Sequence, residues 1–180
     1  MTAVEKKVAA DLLKPPRRYG PKSNFLKKME ADRAARNSID VDSLPIEEQE
    51  RLIKDELARR IAKRDLQFLM TDVLGYPATD TVHKEIEEFL KVITSPDGRH
   101  RGLLLIPRGH LKSTLVTVCW TIQRIINNPN IRILIATGYL ENSKSFLREI
   151  KSHFERSERL RLLFGDFVNA DSDETLQNVG

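Results

Sequence analysis

No apolar run in this chain approaches the roughly 20 residues needed to cross a bilayer, and the N-terminus lacks the short apolar core of a secretory signal. The expectation is a cytosolic chain without a membrane partner. Cysteine is almost missing: Cys119 stands alone, so no internal disulfide can form, as suits a reducing compartment. It lies in an apolar stretch and reads as a small core residue. The four histidines, His83, His100, His110 and His153, have no spacing that would gather a zinc site, and no internal repeat is visible.

What is present fits one good core plus a looser extension, since about 100 to 200 residues is usual for a domain and this chain has 180. Charged residues make up 31% and hydrophobic residues 40%, a balance for folding rather than for disorder throughout. The net charge of +4 is unevenly spread. Residues 1 to 40 hold ten Lys/Arg against five acids, leaving 20 bases against 21 acids in the rest. Pro15-Pro16-Arg17-Arg18-Tyr19-Gly20-Pro21 opposes regular structure, so residues 1–42 read as a basic, partly disordered arm. Such an arm either neutralises phosphates of a nucleic acid or is a solvated tail.

Residues 43–95 read as a helical lead-in. Ser43-Leu44-Pro45 with Glu47 and Glu48 marks a helix start. Ile53, Leu57, Ile61, Phe68, Leu69 and Val73 recur at near-helical spacing until Gly75 and Pro77 supply a stop. A second helix opens near Thr79 or Asp80 with Ile86, Phe89, Leu90 and Ile93 on one stripe, and Ser95-Pro96-Asp97-Gly98 forms a turn. The pattern then changes. Leu103-Leu104-Leu105-Ile106 is a short continuous apolar run, as in a strand covered on both faces of a parallel sheet. A helix from about Ser113 carries Leu115, Val116, Val118, Cys119, Trp120, Ile122, Ile125 and Ile126, and Asn127-Asn128-Pro129-Asn130 ends it. Ile131 to Thr137 supplies a second strand. Strand, helix, strand with short connections predicts a right-handed crossover in a parallel sheet, hence an α/β fold of the P-loop NTPase type with flanking helices over residues 96–180. A further helix from about Glu141 to Arg156 buries Phe146, Leu147, Ile150 and Phe154.

The informative segment is Pro107-Arg108-Gly109-His110-Leu111-Lys112-Ser113-Thr114. A helix start offers unpartnered N–H groups and the positive end of a dipole, both suited to an anion. Lys112 reaches β/γ-phosphates as a point charge, Ser113 places its hydroxyl on Mg²⁺, and Gly109 lets the backbone approach closely. Measured against G-x-x-x-x-G-K-[ST], Ile106 stands where the first glycine would be and Leu111 replaces the second. As a bare string, a Lys-Ser pair at a helix start also fits a capped, solvated end.

That loop, with Asn128-Pro129 and Ile131-Arg132-Ile133-Leu134-Ile135-Ala136-Thr137, resembles the terminase large subunits of tailed bacteriophages over roughly residues 72 to 167. Arg108, Gly109, Lys112 and Ser113 match the family's variant Walker A loop, R-G-x-G-K-[ST] or R-x-x-G-K-[ST]; Leu111 departs from it. The resemblance implies an ATPase that binds ATP and Mg²⁺ and drives viral genome packaging, moving double-stranded DNA into a procapsid. Lys112 would contact phosphates, Ser113 would hold Mg²⁺, and Arg108 would stabilise the γ-phosphate, with Gly109, His110, Leu111 and Thr114 completing the cradle. A guanidinium there is chemically sensible, and the alternative pairs Arg108 with a carboxylate at the domain edge. His83 stands near the place of the family's adenine-contacting glutamine; it equally suits the start of a surface helix. The family implies a portal, a small terminase subunit and homo-oligomeric assembly as partners, in the cytoplasm of an infected bacterial host or from a prophage.

Hydrolysis also needs carboxylates to hold the metal and aim water. No long apolar run ending in paired acids follows the loop. Leu162-Leu163-Phe164-Gly165-Asp166 imitates one, but Gly165 suits a helix end better. The family's nuclease carboxylates are absent too, so the chain reads as the front part of a longer protein, cut before Walker B. Two other readings remain: another P-loop ATPase such as a helicase-like enzyme, and a non-catalytic nucleic-acid-binding module.

Overall fold

The computed structural model describes residues 38–77, 81–95 and 101–165, together with Lys27, Ala31, Ala34 and Ala35. The chain divides into two units, Met1–Asn37 and Ser38–Gly180. The Pro15–Pro21 stretch and almost all of the basic arm, the helix opening at Thr79 or Asp80, the Pro96-Asp97-Gly98 part of the turn, His100, Asp166 and the polar tail lie outside the described residues.

In the second unit the described residues form helices joined by irregular segments. After a 3₁₀ turn at Val41–Ser43, α1 spans Ile46–Arg64, with Pro45 as its N-cap, Glu47 and Glu48 in its first turn and Lys63 and Arg64 in its last. These charges complement the helix dipole at both ends. Asp65 then caps α2, Leu66–Phe68, by accepting the Phe68 N–H at 2.8 Å, and α2 runs on as a π-helical turn, Leu69–Val73. Gly75 follows at φ +76 as the predicted stop. Next come α3, Thr81–Thr94; a π-helical turn Thr114–Cys119 leading into α4, Trp120–Asn127; α5, Leu140–Arg156; and α6, Glu158–Phe164.

The π-turn and α4 form the centre. Leu115, Val118, Cys119 and Ile122 are fully buried there, and they meet Leu66 of α2, Leu69 and Met70 of the π-turn after it, Ile86 and Leu90 of α3, and Leu160 and Leu163 of α6 in one cluster. Burying each such side chain contributes about 1.5 to 3 kcal/mol. Polar side chains tie the helix ends around this core. Gln123 donates to the Ala62 carbonyl at 3.1 Å and Asn127 to the Lys63 carbonyl at 3.0 Å, so α4 satisfies orphan carbonyls at the end of α1. Glu87, buried on α3, accepts the Leu66 N–H at 3.0 Å and pairs with Lys91 at 2.7 Å.

The parallel sheet does not form among the described residues. Among the described residues no strand forms: 103–106 and 131–137 carry irregular backbone without a ladder, so the P-loop NTPase-type α/β class and the right-handed crossover are corrected to a helical assembly. Leu104, Ile106 and Ile135 do pack against the core, yet Leu103, Leu105 and Leu134 are 77, 82 and 90% exposed. One face of each run is covered and the other is open. A continuous apolar run reports that its residues are apolar, and the number of layers that cover it depends on elements elsewhere. Two smaller corrections have the same origin. Ile53 and Leu57 of α1 and Leu147 of α5 are exposed, and the inward face of α1 is made by the small residues Ala58 and Ala62, which let the helix approach α4 closely. On α3 Ile86 and Leu90 are buried as expected while Phe89 and Ile93 are half-buried; the central helix is mostly buried, as expected, and so are Ile150 and Phe154, with Phe146 half-buried.

Candidate phosphate-binding loop

Two contacts shape the segment from Gly102 to Thr114. Gly102 passes so close to α3 that a Cβ there would lie 2.5 Å from Phe89 Cζ, so any side chain at this point would push the Phe89 ring aside. The backbone then turns at Pro107-Arg108-Gly109 and enters helix at Lys112, where the Leu115 N–H donates to the Leu111 carbonyl at 2.8 Å. Gly109 has φ +92 with nothing within 4 Å of a built Cβ. Its glycine answers to the backbone dihedral, and the space beside it is open. Leu111 also lies in the left-handed region, at φ +47, the one such non-glycine among the described residues. That costs about 1 to 2 kcal/mol, offset by packing of the Leu111 side chain against the core.

Lys112 folds back across the loop, its ammonium donating to the Ile106 carbonyl at 3.1 Å. An ammonium has three donors, so two remain for another acceptor. The backbone N–H groups of Gly109, His110, Leu111 and Lys112 have no acceptor among the described residues. Ser113 is exposed at the helix start and its hydroxyl makes no hydrogen bond there; Thr114 is half-buried and begins the π-turn. Arg108 is exposed, with no carboxylate paired to it among the described residues. Unsatisfied N–H groups, an ammonium, a guanidinium and a hydroxyl therefore share one short stretch, an arrangement chemically suited to a polyanion with a divalent cation.

His83 is not on a surface. Only 4% exposed on α3, it lies 2.8 Å through Nε2 from the His110 carbonyl, which can only accept, so His83 carries the proton on that nitrogen. The imidazole reaches the loop's own backbone. Asp166 lies outside the described residues, and what precedes it is α6, closed at Gly165 with φ +85, the helix end that Gly165 suggested. Ser157 caps that helix, its hydroxyl accepting the Leu160 N–H at 3.3 Å.

A polar cluster went unforeseen. The Tyr76 hydroxyl donates to Glu149 Oε1 at 2.5 Å and lies 2.7 Å from His153 Nε2. One hydroxyl has one proton to give, so the imidazole donates to Tyr76 in turn and must hold its proton on Nε2. Burial, then the Glu149 carboxylate, pushes the Tyr76 phenol above its ordinary range. Burial also pushes the Cys119 thiol up to about 12, with the Glu149 charge adding to it. More than 70 residues separate Tyr76 from its partners in sequence, and no local pattern joins them.

Burial holds His153 below its ordinary 6.5 against the opposing pull of Glu149. In the window just below 6.5 the unfolded chain binds a proton that the folded protein resists, so stability is lost as pH falls through that window. The melting temperature is expected to drop between pH 7 and pH 5.5, less steeply in His153→Gln. Equal slopes in the two proteins would show that His153 is not held neutral.

A separate hollow of about 150 Å³ lies between α1, α3 and α4, lined by Lys63, Arg64, Lys91, Arg124, Glu87 and Trp120 among others; no residue of the loop borders it. Among the described residues no cluster of three metal-ligating side chains occurs, and no helix is long and apolar enough to cross a membrane. No protein-family model, curated protein or solved structure matches this chain.

Proposed function

We propose that residues 107–114 bind the phosphates of Mg·ATP, as the nucleotide-binding part of an ATPase that packages viral DNA in the manner of a terminase large subunit. The observation that carries this reading is the loop itself: Lys112 and Ser113 open a helix behind a turn whose N–H groups are unengaged, with the ammonium drawn over the loop to Ile106. Lys112 takes the β/γ-phosphates, Ser113 the Mg²⁺ and Arg108 the γ-phosphate. Double-stranded DNA, a portal, a small subunit and further copies of the chain are partners proposed from the sequence resemblance alone.

The lack of strands among the described residues favours one second reading, in which Lys112 and the basic arm contact nucleic-acid phosphate without turnover. Titration of a fluorescent ATP analogue with and without Mg²⁺, beside titration of duplex DNA, separates the two. The first reading expects Mg²⁺-dependent nucleotide binding that DNA does not compete away. In either case, deleting residues 1–36 should flatten the salt dependence of DNA binding, since each lost phosphate contact removes about 0.9 from the log–log slope. An unchanged slope would make the arm a solvated tail.

A further inference from the structure

We infer that His83 is a positioning residue for the loop: by holding the His110 carbonyl, it fixes the peptide between His110 and Leu111 so that the Leu111 N–H is presented to phosphate. This rests on the phosphate-loop reading above.

Among the described residues no peptide bond is cis, and in a trans peptide the carbonyl and the following N–H point to opposite sides. With the His110 carbonyl drawn 2.8 Å from His83 Nε2, the Leu111 N–H is turned away from α3. It has no acceptor among the described residues. The peptide needs holding because Leu111, which it joins to His110, stands at φ +47 and gains by leaving the left-handed region, and Gly109, one residue before His110, has no side chain to stiffen the approach. A flipped peptide would present a carbonyl oxygen to the phosphate in place of an N–H, changing attraction into repulsion. His83 is well suited to prevent this, since α3 packs its ring into the core beside Ile86 and leaves it little freedom. The residue therefore acts on the phosphates through the backbone, without touching the base.

The test uses the 180-residue chain and two probes, a fluorescent ATP analogue with Mg²⁺ and inorganic tripolyphosphate. Replacing the imidazole by a ring that cannot donate, His83→Phe, should weaken both probes by the same factor, about tenfold. His83→Gln, whose amide can donate from nearly the same place, should recover most of it. A contact with adenine would instead weaken the nucleotide and spare tripolyphosphate, which overturns the inference. So does wild-type affinity in His83→Phe while Lys112→Ala loses binding, a result that leaves the phosphate-loop reading intact. If the wild-type chain binds neither probe, that reading falls and the presentation to phosphate falls with it. The anchoring itself is still decided by ¹⁵N relaxation without ligand: the Leu111 amide should lose order in His83→Phe, and an unchanged order parameter overturns it. Should the larger ring prevent folding, His83→Asn, whose amide is too short to reach the carbonyl, takes its place in every measurement.

Discussion

Lys112→Ala is expected to weaken binding of a Mg·ATP analogue by about thirtyfold or more while the protein stays folded. Removing one partner of a desolvated charge pair costs about 2 kcal/mol or more in affinity, which is about thirtyfold. The side chain is half-buried and makes one hydrogen bond within the protein, to the Ile106 carbonyl. Losing that bond costs about 1 kcal/mol of stability, or roughly 2 to 4 °C in melting temperature for a chain of this size. Affinity and melting curve should therefore separate cleanly. Lys112→Arg should fall between, because a planar guanidinium keeps the charge but cannot take the compact position of an ammonium. Unchanged affinity in Lys112→Ala would remove the basis for a phosphate loop here.

The helices were legible in the sequence where their stripe was strong and local. Ile86 and Leu90 gave α3 its inward face, and the apolar residues from Leu115 to Ile126 gave the buried centre. Gly75, Gly165 and Asn127 marked helix ends through their own local chemistry. The sheet was misread because pairing is a property of two segments, and Leu103 to Ile106 says nothing about whether a partner lies alongside. On α1, the large Ile53 and Leu57 dominate the sequence pattern while the small Ala58 and Ala62 make the inward face, because side-chain size weighs less in a tight helix crossing than in a pattern. Within the loop, the types Lys112, Ser113 and Arg108 were visible, and Leu111 was flagged by departing from glycine; its positive φ is the physical content of that departure. The hold of His83 on the His110 carbonyl was not legible, because a backbone acceptor leaves no mark in side-chain identity.

The second large effect concerns turnover. The 180-residue chain is expected to bind Mg·ATP and yet release phosphate barely above background, several powers of ten below an assembled phosphoryl-transfer site. No carboxylate among the described residues pairs with or hydrogen-bonds to any of residues 107–114. The first acid after the 131–137 segment, Glu141, is occupied: exposed on α5, it pairs with Lys144 at 3.1 Å and Arg148 at 3.7 Å, and the Lys144 hydrogen bond holds its carboxyl below the usual range. A carboxylate so stabilised in its charged form is a poor proton acceptor for attacking water. Phosphate release measured at saturating nucleotide decides the matter. Robust turnover that survives Glu141→Gln would mean that another acid completes the site.

Cys119 carries a consequence of its own. It is the sole thiol of the chain, wholly enclosed at the centre of the core, and its acidity is suppressed to about 12. At neutral pH the buried group is almost entirely protonated and walled off, so an alkylating reagent can react only during the moments when the core opens. The rate of modification by iodoacetamide then counts those moments. Every variant of the loop or of His83 thus carries a built-in clock for its own opening, and a loss of nucleotide affinity can be separated from a loosened fold without introducing any label.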